Sequence, residues 1–306
     1  MAEGYGYGKV ILFGEYFVGY GTPAIASALT EKTIAKVEDS NKFEFIDNRP
    51  ETLGYKEKKK EQQNDSLRRI FEFMKIYVEK NPIRLTLSGD LVAASGIGAS
   101  AASCAAIARA LDEHFNLGLD DEGINRVTYE SEKGYHGTPS GIDNTVATYG
   151  GIILFTKGDP PKVERISMKN SIEIVEGNTG VTSDTKIVVE DVAKKRKENF
   201  EKFEEISNMV KEITEEAKDA LINANAEKIG KLMDENQELL RKIGVSSDEL
   251  ETLITIAKDN GAMGAKLTGT GRGGLMVALT PGKELQEKVA GAMKDQGFEV
   301  FRNNIG

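Results

Sequence analysis

The chain has 306 residues, 39% of them hydrophobic, a formal net charge of −9 and a single cysteine. That length accommodates two domains, the negative balance argues against a nucleic-acid partner, which rewards basic faces, and one cysteine excludes an internal disulfide. No run approaches the roughly 20 apolar residues that span a bilayer, and no basic segment precedes the first apolar run as it does in a signal peptide, so a cytoplasmic protein without a membrane partner is expected.

Residues 9–13 (Lys-Val-Ile-Leu-Phe) are a short apolar run bounded by glycine and predict a buried strand. A turn over 14–21 leads to a second apolar run at 24–29. Residues 33–37 and 42–46 alternate weakly and predict the two strands of a hairpin. The charge-dense stretch 56–63 reads as a solvated helix or loop. Leu67, Ile70, Phe71, Met74 and Val78 recur at helical spacing and mark an amphipathic helix. Residues 83–87 alternate as a strand, 99–115 form a helix of small residues, and 121–133 form another with Asp120 as its N-cap. A strand follows at 151–155. Composition shifts after about residue 157, and the expected domains are 1–165 and 166–306. In the second half, 158–161 is a turn and 172–175 a strand. Residues 192–243 are almost continuously helical in pattern, with Phe203, Ile206, Val210, Ile213 and Ala217 on one stripe. Two or three long helices, broken near 223–225 and 244, are expected there. Strands at 274–279 and 299–302 flank a last helix at 284–296.

Several segments could carry chemistry. Gly134-Tyr-His-Gly-Thr-Pro-Ser-Gly-Ile-Asp-Asn144 is a turn rich in residues that fix the backbone, and it aims Asp143 with little freedom. A carboxylate held that way can act as a base for a hydroxyl group. Ser95-Gly-Ile-Gly-Ala-Ser100 opens the small-residue helix, where free N–H groups and the helix dipole suit a phosphate. A plain glycine turn before a tightly packed helix remains the alternative. The dinucleotide fingerprint does not fit, because its third glycine is Ala101 and no second strand follows; a Walker loop does not fit, because the loop has no lysine. Positive charge must then come from elsewhere. Lys9, at the edge of a buried strand, can meet Asp143 and a transferred phosphate, or snorkel to water. Glu132 and the Ser100 hydroxyl, together with phosphate oxygens, would suit Mg²⁺; Glu132 also reads as an exposed helix residue. Glu15 reads as a solvated loop acid.

Lys266-Leu-Thr-Gly-Thr-Gly-Arg-Gly-Gly274 is either an anion-binding nest with Arg272 as its cation, or a loop between strands. The two histidines, His114 and His136, cannot build a histidine-rich metal site; His136 is expected to hold the Asp143 turn. Cys104, among alanines, reads as a small buried filler. A positioned base beside a phosphate cradle suggests phosphoryl transfer from a nucleotide to an alcohol.

Taken in order, Lys9-Val-Ile-Leu-Phe-Gly-Glu15, Gly96-Ile-Gly-Ala-Ser-Ala-Ala102 and the 266–274 segment resemble the three motifs of the GHMP kinases, and His136-Gly-Thr-Pro-Ser-Gly-Ile-Asp143 looks like the mevalonate kinase form. The resemblance spans nearly the whole chain. It implies a two-domain α+β fold with the active site in the inter-domain cleft, ATP and Mg²⁺ as cofactors, and ATP-dependent phosphorylation of the 5-hydroxyl of (R)-mevalonate, with a homodimer left open. The rival is a sister kinase for mevalonate phosphate, another mevalonate hydroxyl or a sugar. By motif position, Asp143 is the catalytic aspartate and Lys9 pairs with it. Ser95, Gly96, Ile97, Gly98, Ala99, Ser100 and Ala101 would hold the nucleotide, and Ser100 with Glu132 the Mg²⁺. Glu15, Tyr16, Thr185 and Thr270 would join Lys9 and Asp143 on the substrate side. Tyr7, Tyr16, Ala99 and Arg272 depart from the residues common in these motifs (proline, histidine, serine and glycine).

Overall fold

The first strand, β1 (Ala2–Phe13), carries glycine at alternate positions, Gly4, Gly6 and Gly8. This spacing puts the glycines on one face of the strand. A side chain there would collide with a helix: a Cβ on Gly6 would lie 2.1 Å from the Ala102 carbonyl oxygen. The alanine-rich composition of α3 (Ala99–Phe115) is the other half of this fit, since only small residues on both elements let backbone meet backbone. The computed structural model describes residues 1–94, 96–181 and 185–306, with 185 and 186 as backbone alone.

The chain divides into two compact units that interleave in sequence. The first is Met1–Lys9 with Ala28–Gly150; the second is Val10–Ser27 with Gly151–Gly306. They differ from the contiguous 1–165 and 166–306 because β1 and β2 (Ala24–Asp39) each contribute residues to both.

In the first unit β3 (Glu44–Asp47) and β4 (Ile83–Gly89) join the later part of β2, with β4 in the middle. The expected hairpin of 33–37 with 42–46 does not form. β4 pairs antiparallel with β2, Thr33 opposite Gly89, and β3 pairs parallel with β4, Glu44 opposite Arg84. The reason is burial: Leu85 and Leu87 are fully enclosed and demand the central position, whereas no residue of β3 is fully buried, so it takes the edge. Helices α1 (Tyr55–Lys58), α2 (Lys60–Met74), α3, α4 (Asp121–His136) and α5 (Ile142–Tyr149) complete the unit. Helix α2 stops before Val78, because Lys75 adopts φ 57° and turns the chain. Asp120 caps α4 by accepting the Gly123 N–H at 2.8 Å. Ile70, Leu85, Leu111 and Val127 form the core between these helices and the strands.

In the second unit Ala24–Ser27 pairs with β5 (Ile152–Thr156), and β5 with β6 (Lys162–Ile166). A separate antiparallel sheet has the order β10 (Glu299–Ile305), β7 (Ile172–Asn178), β9 (Leu275–Leu279), β8 (Gly264–Thr268). Helices α6 (Thr185–Glu198), α7 (Phe200–Ile222), α8 (Ala226–Lys242), α9 (Asp248–Asp259) and α10 (Lys283–Asp295) accompany it. The long helical pattern breaks at two asparagine caps: Asn199 accepts from Lys202 N–H and Asn225 from Lys228 N–H. Phe203, Ile206 and Val210, the predicted stripe, enter a core shared with Leu240, Leu253 and Met276. No helix among the described residues is long and apolar enough to cross a membrane.

Candidate active site

The site in the first unit begins where β1 passes under the glycine loop. The Lys9 N–H donates to the Ile97 carbonyl at 2.8 Å. Gly98 then turns the chain into α3 with φ 71°, and a Cβ there would stand 2.6 Å from Lys9 Cγ. Glycine is needed twice at this point, for the left-handed backbone and for room beside the lysine stem. Gly96 is likewise at positive φ, 98°. No side chain caps α3 at Gly98. Its first-turn amides, at Ala99, Ser100 and Ala101, have no intrahelical partners and carry the positive end of the dipole. Ser95 lies outside the described residues.

Lys9 is 4% exposed and its Nζ stands 3.2 Å from Asp143 Oδ1. Asp143 occupies the first turn of α5, immediately after Gly141 at φ 95°, so the turn delivers its carboxylate at a helix start. The pair is sealed on the lysine side and open on the other, the Asp143 side chain being 31% exposed.

Glu132 lies on α4 and is fully buried. This corrects its reading as an exposed helix residue: α4 packs that face against α2 and α3 rather than toward solvent. Burial and the neighbouring Asp143 charge push its carboxyl pKa up to about 8. Oε1 faces the Cys104 thiol at 3.8 Å, while Oε2 has no hydrogen-bond donor among the described residues. His136 Nε2 stands 3.6 Å from Oε2 and 3.4 Å from Ser100 Oγ, and burial lowers the imidazole pKa. An orphaned, enclosed carboxylate oxygen beside a hydroxyl is a hard-oxygen set that fits Mg²⁺, which takes few protein ligands and keeps its waters and phosphates. Cys104 is buried, and burial raises its pKa far above the thiol range, in line with its reading as inert filler.

The remaining candidates lie in the second unit. Glu15 is no solvated loop acid: it is completely buried and ion-paired with Lys266 of β8, itself completely buried. The pairing explains why a lysine opens the third glycine segment. Tyr16 takes φ 64°, and its hydroxyl is enclosed without a hydrogen-bond partner among the described residues. Burial raises its pKa against the opposing pull of Arg272. Thr270 is half-buried in the turn after β8. Arg272, at φ 52°, donates to the Gly244 carbonyl at 3.0 Å and pairs with Asp191. Thr185 begins α6, but its side chain lies outside the described residues.

Sequence reasoning missed two ionic clamps. Lys266–Glu15 joins residues 251 apart, and no local pattern announces it. Arg49, 5% exposed, grips Asp47 through Nε and Nη2 at 2.9 and 2.6 Å, and donates to the Ala99 carbonyl at 3.2 Å. The segment Asp47-Asn-Arg-Pro50 looks like an ordinary polar turn.

The two-unit α+β fold, with a lysine-paired aspartate beside an uncapped helix start, has the architecture of a kinase. The chain belongs to the GHMP kinase family: the GHMP kinases N terminal domain matches residues 65–151 and the GHMP kinases C terminal domain matches 217–299. Within it, the chain is similar to proteins named mevalonate kinase. One from Thermococcus gammatolerans is 35% identical, with 94% of this chain and 91% of that protein covered; one from Pyrococcus abyssi is 32% identical over the same shares. Among solved structures, the mevalonate kinase of L. major in complex with R-mevalonate is 35% identical, with a TM-score of 0.94 over 100% of this chain and 96% of that one.

Proposed function

We propose that this kinase transfers the γ-phosphoryl group of ATP to the 5-hydroxyl of (R)-mevalonate. The observation that carries the reading is the 3.2 Å pair of Lys9 and Asp143 beside the uncapped start of α3. The similarity to mevalonate kinases, one of them bound to R-mevalonate, supplies the acceptor.

Asp143 orients the acceptor hydroxyl and takes its proton; the open side of its carboxylate leaves room for that hydroxyl. Lys9, held between strand and loop, keeps Asp143 in place and offers its charge to the phosphoryl oxygens in transfer. Such a transition state needs positioning and charge more than covalent help. The Gly96–Ala101 backbone and the first-turn amides of α3 cradle the remaining phosphates. Ser100 and Glu132 would hold Mg²⁺, which supplies neutralisation of the phosphate charge. Arg272 has its guanidinium committed to Asp191 and the Gly244 carbonyl.

The test is ADP release with ATP and Mg²⁺ over a panel of (R)-mevalonate, mevalonate 5-phosphate, homoserine and galactose. The expected result is turnover with mevalonate and phosphate found on the 5-oxygen. Preference for any other acceptor overturns the assignment.

A further inference from the structure

A small pocket in the first unit is lined by Ala99 and Ser100 at the start of α3 together with Arg49, Lys56 and Lys59. Two of the three cations are spent within the fold. Arg49 is bound to Asp47 and to the Ala99 carbonyl. Lys56 Nζ donates to the carbonyls of Asp47 and Arg49 at 3.1 and 2.8 Å, and pairs with Glu51 at 3.8 Å.

Lys59 is different. It is half-buried at the break between α1 and α2, and its ammonium has neither an acid nor a carbonyl partner among the described residues. Its backbone is nevertheless fixed on both sides: its N–H donates to the carbonyls of Tyr55 and Lys56, and its own carbonyl accepts the Gln63 N–H at 2.9 Å. Gln63 in turn donates to Asp47 at 3.1 Å, Asp47 holds Arg49, and Arg49 holds Ala99. This chain of bonds ties the platform of Lys59 to the first turn of α3.

The glycine loop has no lysine of its own, and Lys9 is engaged with Asp143. A helix start offers about half a positive charge, far less than a triphosphate carries. The geometry points to Lys59 as a phosphate-binding residue for the nucleotide: its ammonium takes a non-bridging phosphate oxygen of ATP alongside the first-turn amides of α3. The assignment rests on the proposed ATP-dependent transfer and deepens it.

Calorimetric titration of ADP and of adenosine into wild type, Lys59→Met and Lys59→Arg tests it. Lys59→Met should weaken ADP by roughly 10–100-fold, the range for a hydrogen bond to a charged group, and leave adenosine unchanged. Lys59→Arg should retain most of the ADP affinity, since the charge is kept. The salt sensitivity of ADP binding should fall in Lys59→Met. ADP affinity unchanged in Lys59→Met would overturn the assignment. So would equal loss of ADP and adenosine, which marks a structural residue. Wild-type ADP release with ATP and mevalonate separates the two readings: wild-type turnover with unaffected Lys59→Met binding removes only Lys59, whereas no mevalonate-dependent turnover removes the proposed reaction.

Discussion

The two units each hold a buried lysine next to a carboxylate, and the two pairs are built to opposite ends. In the first, Lys9 is enclosed but Asp143 keeps an open face, and nearby Glu132 has an oxygen with no donor. In the second, Glu15 and Lys266 are both at 0% exposure, and the ammonium also donates to the Leu267 carbonyl at 2.8 Å. An ion pair with one face open to solvent can meet a ligand, whereas one enclosed on both sides serves to hold two distant segments together. Both are pairs of a lysine with a carboxylate, and burial of the acid separates them.

The largest expected effect would break the first half of that comparison. Asp143→Asn should lower kcat by about 10²–10⁴-fold, the range for loss of a general base, with ATP and mevalonate KM little changed. Near-normal turnover in a steady-state assay would remove Asp143 from the mechanism.

Glu132→Gln should cost on the order of 10²–10³-fold in kcat if it removes electrostatic stabilisation of the transferred group. The same variant carries a stability signature. With a folded-state pKa raised from 4.5 to about 8, Glu132 keeps its proton in the metal-free folded protein while the unfolded chain has lost it. Its contribution is therefore full below pH 4.5 and is lost as pH rises through about 8. Metal-free Glu132→Gln should melt above wild type at pH 8–9 and converge with it near pH 4.5. Parallel melting curves across that window would show that the carboxylate is not orphaned.

The sealed pair should respond in stability instead. Lys266→Met removes the buried countercharge of Glu15, and should cost about 3–5 kcal/mol by denaturant unfolding. The Glu15→Gln/Lys266→Met double variant should recover part of that, and strict additivity would argue against a direct pair. Smaller still, Gly98→Ala should cost about 1–2 kcal/mol for the left-handed backbone, with a further loss of activity as Lys9 is displaced.

Much of the first unit was legible beforehand. Asp120 as a cap, the small-residue helix at 99–115 and the aimed Asp143 all depend on residues close in sequence, where local rules operate. The 42–46 strand was placed on the wrong neighbour because its register depends on β4, some 40 residues later. Strands β6 and β8 went unread because five-residue segments of mixed composition have little period of their own, whereas helix α9 was simply missed, since Leu250, Leu253, Ile254 and Ala257 already stand at helical spacing. Of the two readings of Glu132, metal ligand and exposed helix residue, burial removes the second, which the helix alone does not announce because its neighbours decide which polar positions are covered.

By itself, the sequence determined the motif set, hence the family, along with the positive-φ glycines that place a helix start beside Lys9. Tertiary structure alone decided which charged side chains lie open and which are shut away. Burial and long-range pairing set the state of a carboxylate, and neither can be read from its immediate neighbours in the chain.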